Sequence, residues 1–320
     1  MPLRLVNFLP ASGAGAHCGA WIEAGIVDLT IAAALSAQTL VGRFPDVVAV
    51  LSDPELVKIA RELAESGAVE PALRETITLL PPVLRLGKLF LLAGNYLDHV
   101  EESERAGAKQ DMPQEWRGGP RIFMKPSTDT VIADGEPILL ARTATWLDYE
   151  AEFAVIIGKS GKYLPPDQAL RHVGGITALN DVSERQLSVW DRGEYAAAYK
   201  WFDWLNGKWT DTSAPLGPCA VPLEDVPDLD ALRLQLHLNG ETMQDALTGE
   251  MLFKVPEVVS YLSNLCTLRP GDIISMGTPE GVGLARGIKL QPGDEVTVEL
   301  DLVGKLTNTV VADPTPLPPP

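Results

Sequence analysis

The sequence predicts an α+β protein in which β-strands predominate. Short segments with alternating or continuously apolar side chains recur along the chain, whereas helical segments are few. The two types of element do not alternate regularly, which disfavours a doubly wound parallel sheet. The 28 glycines and 26 prolines among 320 residues indicate many turns and shaped loops. A mixed, curled β architecture fits these three observations best.

Residues 1–78 predict a small N-terminal domain. Its expected elements are a strand, a hairpin and two helices, at 3–8, 20–29, 29–35 and 54–66. The consecutive prolines Pro81 and Pro82 follow a strand-like run and are typical of a linker. We therefore place a domain boundary near Leu79, with a larger domain at 79–320.

The larger domain contains most of the predicted strands, at 89–93, 147–158, 173–180, 232–238, 272–276 and 295–302. Asn239 and Gly240 directly follow the strand predicted at 232–238 and are typical of a two-residue hairpin turn. Helices are expected after Asn95, after Asp181 and at 256–265. The second helix is predicted because Ser183 and Gln186 have the spacing of a capping box.

Composition and charge disfavour several classes of protein. Acidic residues outnumber basic ones by 43 to 26, and a formal charge of −17 repels nucleic-acid phosphates and anionic lipids. No apolar stretch is long enough to span a bilayer, and the first residues do not resemble a signal peptide. Three separated cysteines without a CxxC pair fit a reducing compartment. We expect a cytoplasmic protein that binds neither nucleic acid nor membranes.

The strand predicted at 147–158 carries an acidic cluster. Because side chains alternate between the faces of a strand, Asp148, Glu150 and Glu152 are expected on one face. Such carboxylates repel one another unless they are solvated, protonated or neutralised by a cation. The strand alone favours the solvated face of an edge strand. Apolar residues that continue the same face favour burial instead, with a hard cation such as Mg²⁺ bound through oxygen.

Asp181 is a third possible source of a metal ligand. It stands where the strand at 173–180 ends. Aspartate is common in turns for local reasons, so this residue by itself indicates only a turn. Both interpretations remain open from the sequence.

His99 and Glu102 form the most suggestive acid–base pair. In a helix after Asn95 they are neighbours three residues apart on one face. A carboxylate beside an imidazole orients it and raises its basicity, as a general base requires. The alternative is an exposed helix with ordinary charges.

Two lysines stand at positions where a substrate carboxylate could be bound. Lys125 lies at a predicted strand end, and Lys208 lies in a polar loop. A solvated side chain is the default expectation for both.

Taken together in order, ten motifs make residues 88–310 similar to the fumarylacetoacetate hydrolase family. The matching motifs are Gly94-Asn95-Tyr96 with Asp98-His99, Lys125-Pro126, Asp148-Tyr149-Glu150-Ala151-Glu152, Asn180-Asp181-Val182-Ser183 with Arg185, Gly207-Lys208 with Asp211-Thr212, Gly217-Pro218, Asn239-Gly240-Glu241 with Gln244, Pro270-Gly271-Asp272, Gly277-Thr278-Pro279 and Gly281-Val282-Gly283. Each motif is weak alone, but their number and order are specific.

The resemblance implies a fold and a site. Members build a mixed β-roll or sandwich-like catalytic domain, usually as a homodimer and often after a smaller N-terminal domain. The implied ligands for Mg²⁺ or Mn²⁺ are Glu150, Glu152 and Asp181. The implied water-activating pair, on a mobile lid, is His99 and Glu102, and the lysine that stabilises negative charge is Lys208. The implied substrate contacts are Arg185, Gln244 and Thr278.

The resemblance also implies an activity. We expect a Mg²⁺-dependent hydrolase that cleaves a C–C bond in a small oxo-acid of the fumarylacetoacetate or acylpyruvate type, in the breakdown of aromatic compounds. The same site in the family supports decarboxylation, isomerisation or a ureidoglycolate-type lyase reaction, and a non-catalytic binding protein on this fold is a further alternative. Retention of His99 and Glu102 favours hydrolysis or decarboxylation over pure isomerisation.

Three departures from the family pattern bear on the substrate more than on the metal. The segment 104–120 is longer than in compact members and follows the predicted acid–base pair. Gln186 stands where an acid is common, and Trp209 stands where a small residue is common.

Overall fold

A computed structural model describes residues 1–13, 15–105, 118–187 and 189–315. Most of the long segment 104–120, and with it most of the predicted lid, lies outside the described residues. None of the helices in the described ranges is long and apolar enough to cross a membrane.

The described elements are mainly short strands. The strands are β1 (Leu5–Leu9), β2 (His17–Ile22), β3 (Gly25–Asp28), β4 (Thr78–Leu80), β5 (Leu89–Leu92), β6 (Ile122–Lys125), β7 (Val131–Ile132), β8 (Ile138–Leu140), β9 (Leu147–Asp148), β10 (Ala151–Ile157), β11 (Val173–Asn180), β12 (Ser183–Glu184), β13 (Ala214–Pro222), β14 (Arg233–Leu238), β15 (Glu241–Leu247), β16 (Ile273–Ser275), β17 (Glu295–Leu300) and β18 (Gly304–Ala312). The helices are α1 (Leu29–Ser36), α2 (Val47–Leu51), α3 (Pro54–Glu65), α4 (Leu97–Arg105), α5 (Pro166–Ala169), α6 (Ala196–Asn206), α7 (Val255–Leu265) and α8 (Gly283–Arg286). The predicted predominance of strands is confirmed.

The strands form one large mixed sheet and two smaller sheets. The large sheet has the order β3-β2-β1-β13-β11-β10-β16-β5-β6, with β4 paired to β1 and β7 paired to β13. A second sheet has the order β15-β14-β17-β18-β8, and β12 pairs with β9 alone. Because β1 pairs with β13, residues 1–78 share a sheet with the larger predicted domain. The domain boundary near Leu79 stays a prediction.

Strand β10 lies at the centre of the large sheet and is buried on both faces. It pairs antiparallel with β11 on one side and with β16 on the other. Phe153, Val155 and Ile157 pack into one hydrophobic cluster, and Ala154 and Ile156 into a second. A strand with two buried faces is continuously apolar, as this one is from Phe153 to Ile157. The interpretation of this segment as a solvated edge strand is therefore wrong.

Two local predictions in the acidic region are also wrong. The segment 147–158 is not one strand, since Tyr149 and Glu150 separate β9 from β10. No helix starts at Ser183, because Ser183 and Glu184 form β12, which pairs with β9. The Ser183 hydroxyl donates to a Glu150 carboxylate oxygen at 3.2 Å and to the Asp181 carbonyl at 2.7 Å. The side chain that was expected to cap a helix is thus used in tertiary hydrogen bonds.

The predicted hairpins and the other helices are confirmed. Strands β2 and β3 pair across a tight turn, and so do β14 and β15. Asn239 has φ 52° and Gly240 has φ 84°, the left-handed values that a type I′ hairpin turn requires. The expected helices near 54–66, after Asn95 and at 256–265 correspond to α3, α4 and α7.

Asn7 connects the N-terminal strand to the double proline. Its side-chain amide donates to the carbonyls of Pro81 and Pro82 at 3.1 and 2.9 Å, and its oxygen accepts the Val47 N–H at 3.0 Å. The residue is fully buried. Asn7→Ala leaves these three groups unpaired in the interior, so we expect the free energy of unfolding to fall by about 2–4 kcal/mol.

Urea denaturation measures this loss. Asn264→Ala is the control, because Asn264 is exposed and its side chain donates to a single carbonyl, that of Ser260. An equal loss in both variants would contradict the role given to Asn7.

Candidate active site

Three buried carboxylates meet at adjacent strand ends. Glu150 immediately precedes β10, Glu152 is its second residue, and Asp181 directly follows β11. The antiparallel register pairs Ala151 with Asn180, so the start of β10 and the end of β11 lie side by side. As a result, one oxygen from each of the three carboxylates lies within 4.8 Å of the others. We call Glu150, Glu152 and Asp181 the carboxylate cluster.

Asp148 does not belong to the carboxylate cluster. It ends strand β9, and two residues outside any strand separate it from the start of β10. Its oxygens accept the N–H groups of Gly283 and Leu284 at 2.7 and 3.1 Å and the Arg185 Nε at 2.9 Å. Asp148 therefore anchors the start of α8 and one side of Arg185. The expectation that it shares a face with Glu150 and Glu152 is wrong.

Three basic side chains surround the carboxylate cluster. Lys208 Nζ lies 2.5 Å from both Glu150 Oε2 and Asp181 Oδ2. Lys125 Nζ lies 2.6 Å from Asp181 Oδ1. The second Nη of Arg185 lies 2.5 Å from Glu150 Oε1. Both lysines are buried, so the default expectation of solvated side chains is wrong for each of them.

Glu150 is held in its ionised form by these neighbours. Burial by itself would raise the pKa of Glu150. Arg185, Lys208 and His99 outweigh that effect and hold the pKa well below its usual range. His99 therefore lies close enough to the carboxylate cluster to act on it electrostatically.

Glu152 has the opposite environment. Burial, followed by the neighbouring charges of Asp181 and Glu150, raises its pKa well above the usual range. Its side chain accepts the Gly277 N–H at 3.1 Å. Among the residues that the structure describes, no lysine or arginine forms an ion pair with Glu152. A further cation at the cluster would stabilise this carboxylate in its ionised form.

The donor set fits a divalent cation. Glu150, Glu152 and Asp181 offer oxygen only, as hard cations such as Mg²⁺ prefer. All three are buried, and their oxygens already converge on one region. The predicted ligand set is therefore brought together by the fold.

Helix α4 brings His99 and Glu102 together, and Glu102 makes a further contact. His99 Nδ1 lies 3.5 Å from Glu102 Oε2, longer than a good hydrogen bond. Both oxygens of Glu102 accept the Gly281 N–H at 2.9 Å. His99 Nδ1 is buried without a hydrogen-bond partner among the described residues. Glu102 thus holds the loop after β16 as well as flanking the imidazole.

The predicted substrate residues lie around the same carboxylates. Gln244 accepts the Ala151 N–H at 2.9 Å and donates to the Thr278 hydroxyl at 2.9 Å. Gln244 and Thr278 are both buried, and they connect β15 to the loop after β16. Arg185 bonds to Asp148 and Glu150 and so supports the carboxylate cluster directly. Substrate contact by these three residues stays a prediction.

Sequence reasoning missed the roles of two buried residues in the same region. For Lys125 the sequence offered a solvated side chain or a contact to a substrate carboxylate, and for Tyr96 it offered no role. The Tyr96 hydroxyl is buried without a hydrogen-bond partner in the described ranges. Burial, and next the charge of Glu152, raises the pKa of Tyr96. The signal available in the sequence was the place of Tyr96 three residues before His99 and the place of Lys125 in the Lys125-Pro126 motif.

Comparisons with known proteins agree with this fold and site. The family model described as "Fumarylacetoacetate (FAA) hydrolase C-terminal" matches residues 88–311. The chain is 36% identical over 315 residues to the bovine protein named oxaloacetate tautomerase FAHD2A, mitochondrial, covering 97% of this chain and 92% of that protein. The human protein named oxaloacetate tautomerase FAHD2A, mitochondrial, is 33% identical to this chain, again over 97% of this chain and 92% of that protein. The chain belongs to the fumarylacetoacetate hydrolase family.

Solved structures of the family have the same fold. A fumarylacetoacetate hydrolase from Exiguobacterium antarcticum matches with a TM-score of 0.72 and 28% identity, over 97% of this chain and 100% of that one. Maleylpyruvate hydrolase from Sphingobium sp. SYK-6, in complex with manganese(II) and pyruvate, matches with a TM-score of 0.72 and 25% identity, over 97% and 99%. Relatives of this chain thus include proteins named as tautomerases and as hydrolases.

Proposed function

We propose that this protein catalyses keto–enol tautomerisation of a small 2-oxo-dicarboxylate such as oxaloacetate. The relatives named oxaloacetate tautomerase support this reaction, because they match almost the whole chain. The structural observation that carries the proposal is the state of Glu102. Both of its oxygens accept the Gly281 N–H, and it is not hydrogen-bonded to His99. His99 Nδ1 has no hydrogen-bond partner among the described residues, so the imidazole can accept a proton from a substrate carbon.

The reaction needs one proton to leave carbon and one to reach oxygen. In our proposal His99 accepts the proton from the carbon next to the 2-oxo group, and the C–H electron pair forms the C=C bond of the enol. Lys208 stabilises the negative charge that develops on the oxygen, which then takes the abstracted proton from the His99 imidazolium. Thr278 positions a substrate carboxylate through its hydroxyl group, and Gln244 orients that hydroxyl through the hydrogen bond from its amide at 2.9 Å.

Glu150, Glu152 and Asp181 would hold Mg²⁺ or Mn²⁺ in this proposal. When bound, such a cation supplies a Lewis acid that polarises the 2-oxo group. Arg185 and Lys208 keep Glu150 ionised, which preserves its capacity as an oxygen ligand. The all-oxygen donor set favours these two metals over softer ones.

C–C hydrolysis of an acylpyruvate-type oxo-acid is the second candidate. The observation that favours it is the proximity of Glu102 to His99, since a shift of the carboxylate by less than 1 Å would turn 3.5 Å into a hydrogen bond. The likeness to maleylpyruvate hydrolase supports it as well. Decarboxylation and a ureidoglycolate-type lyase reaction use the same groups, and no observation favours either.

A substrate comparison with purified protein decides between the candidates. Enol-oxaloacetate decay is followed by ultraviolet absorbance, and pyruvate release from acylpyruvates is followed by a coupled assay, both with Mg²⁺ and with Mn²⁺. We expect the larger kcat/KM for oxaloacetate tautomerisation. A larger kcat/KM for acylpyruvate cleavage would replace the proposal with the hydrolase function, and with it the role in the breakdown of aromatic compounds.

We also propose that two copies of the chain pair through an exposed aromatic surface. It consists of seven large apolar side chains that are 42–72% exposed: Val189, Trp190, Tyr195, Tyr199, Trp201, Phe202 and Trp209. Aromatic side chains bury roughly 150–250 Å² each, so this half-exposed set offers on the order of 700 Å². A standard interface buries about 800 Å² on each partner. The surface is thus large enough for a homodimer.

The cytoplasmic location stays a prediction without structural support.

Charge reversal on the aromatic surface tests this pairing. Trp201→Glu combined with Phe202→Glu is expected to convert a dimer into a monomer in sedimentation velocity, because two like charges would face each other across a two-fold axis. Leu35→Glu is the control, since Leu35 is 67% exposed on α1, outside this surface. A monomeric wild type, or a dimeric double variant, would contradict the proposal.

A further inference from the structure

Lys125 is a fully buried cation that the proposed reaction does not use. It is the last residue of β6, and its side chain has 0% exposure. Its Nζ lies 2.6 Å from Asp181 Oδ1, and it donates to the carbonyls of Val182 at 2.8 Å and Ser213 at 2.5 Å. An ammonium group has three hydrogens, and here three protein oxygens surround it. Because the side chain has 0% exposure and three protein oxygens surround its Nζ, Lys125 is enclosed by protein and does not face a substrate.

Lys208 differs from Lys125 in this respect. Its Nζ contacts two carboxylate oxygens and lies 5.0 and 5.5 Å from the ring centres of Phe123 and Trp204. One of its three hydrogens remains for another acceptor. The two lysines thus have separate functions, since only Lys208 can also serve the substrate.

The two lysines hold Asp181 from its two oxygens. Lys125 pairs with Oδ1 and Lys208 pairs with Oδ2. Lys125 also bonds to the carbonyl of Val182, the residue after Asp181, and so restrains the turn that carries this carboxylate. When Lys208 turns toward a substrate, Lys125 remains as the restraint on Asp181.

This restraint matters because the three carboxylates of the cluster repel one another. Glu150 and Glu152 lie with Asp181 inside 4.8 Å in a buried site, and like charges at such distances disfavour one another. Without Lys125, Asp181 Oδ1 would lose its ion-pair partner and the Val182 turn would lose a donor. The carboxylate would then rotate away from the other two.

We propose that Lys125 is the positioning residue of the carboxylate cluster, which fixes Asp181 for divalent-cation binding without contacting the substrate. The inference rests on the cation site of the proposed function. It assigns Lys125 an effect on cation affinity and Lys208 an effect on turnover. Residues that orient metal ligands typically contribute about 10–100-fold to affinity.

Isothermal titration with Mn²⁺ measures the effect directly on the purified full-length protein. Lys125→Met is expected to weaken Mn²⁺ binding by about 10–100-fold. At saturating Mn²⁺, its kcat and KM for the substrate stay within about twofold of wild type. Lys208→Met is expected to lose kcat at every Mn²⁺ concentration. Lys159→Met is the control, because Lys159 is exposed, and no change is expected.

Lys125→Gln is measured alongside, because Lys125→Met leaves two carbonyls without a donor and can impair folding. The glutamine amide can still donate to a carbonyl but carries no charge, and the same loss of affinity is expected. In an Asp181→Asn background, Lys125→Gln should cost less than about twofold further, since the effect passes through Asp181.

The outcomes separate this inference from the proposal on which it depends. Wild-type affinity in Lys125→Gln, or a raised KM with unchanged Mn²⁺ binding, would overturn the role of Lys125 alone. A wild-type protein that binds no Mn²⁺ would overturn both the cation site and the role of Lys125.

Discussion

Glu150→Gln is expected to lower Mn²⁺ affinity by about 100-fold or more, because the substitution removes a charged ligand and not merely a residue that orients one. The neutral amide also loses its ion pairs with Lys208 and Arg185, both at 2.5 Å. These cations would then remain in a buried site that has lost one negative charge, which further disfavours a divalent cation. Turnover should fall in parallel at limiting Mn²⁺.

Isothermal titration and the Mn²⁺ dependence of kcat measure this effect. Glu62→Gln on α3 is the control, because Glu62 is exposed and distant in sequence from the site. Unchanged Mn²⁺ affinity in Glu150→Gln would remove Glu150 from the ligand set.

His99→Ala is expected to lower kcat by about 10²–10⁴-fold, the usual contribution of a general base. Mn²⁺ affinity should stay within about twofold of wild type, since His99 is not one of the three proposed ligands. Steady-state kinetics at saturating Mn²⁺ give kcat, and titration gives the affinity.

His172→Ala is the matched control. His172 is only partly buried, and its ring nitrogen bonds to the carbonyl of Lys159. Near wild-type kcat in His99→Ala would remove the imidazole from the mechanism of either candidate reaction.

Glu102→Gln separates the two candidate reactions within the same experiment. The glutamine oxygen can still accept the Gly281 N–H, so the loop after β16 keeps its anchor. A tautomerase in which His99 works without a bonded carboxylate should then lose less than about tenfold in kcat, whereas a water-activating pair should lose more. Loss of affinity for Mn²⁺ is expected in neither case.

The sequence predicts those turns and strands that a few neighbouring residues determine. The turn at Asn239 and Gly240 needs two left-handed residues in succession, so two residue types suffice to locate it. Strand β10 is continuously apolar from Phe153 to Ile157 because both of its faces are buried, and this pattern is visible without knowledge of the fold. The three clustered carboxylates were predicted together because their motifs match a family, whereas strand alternation alone grouped Asp148 with Glu150 and Glu152.

What the sequence could not predict depends on contacts between distant residues. Ser183 and Gln186 have the spacing of a capping box, but the hydroxyl of Ser183 bonds to Glu150, which lies 33 residues earlier. Lys125 is buried because Asp181 and Ser213 approach it from 56 and 88 residues away. Composition and spacing within one segment contain no information on such partners.

The two parts of the candidate site differ in the free energy needed to open them. The carboxylate ligands stand at the ends of β10 and β11, which are buried on both faces, so exposing their amides requires disruption of the main core. His99 instead belongs to α4. Among the described residues, a hydrogen bond between Glu102 of this helix and the Gly281 N–H connects α4 to the rest of the protein. A local opening of α4 can therefore separate His99 from the carboxylate cluster while the sheet that carries Glu150, Glu152 and Asp181 stays intact.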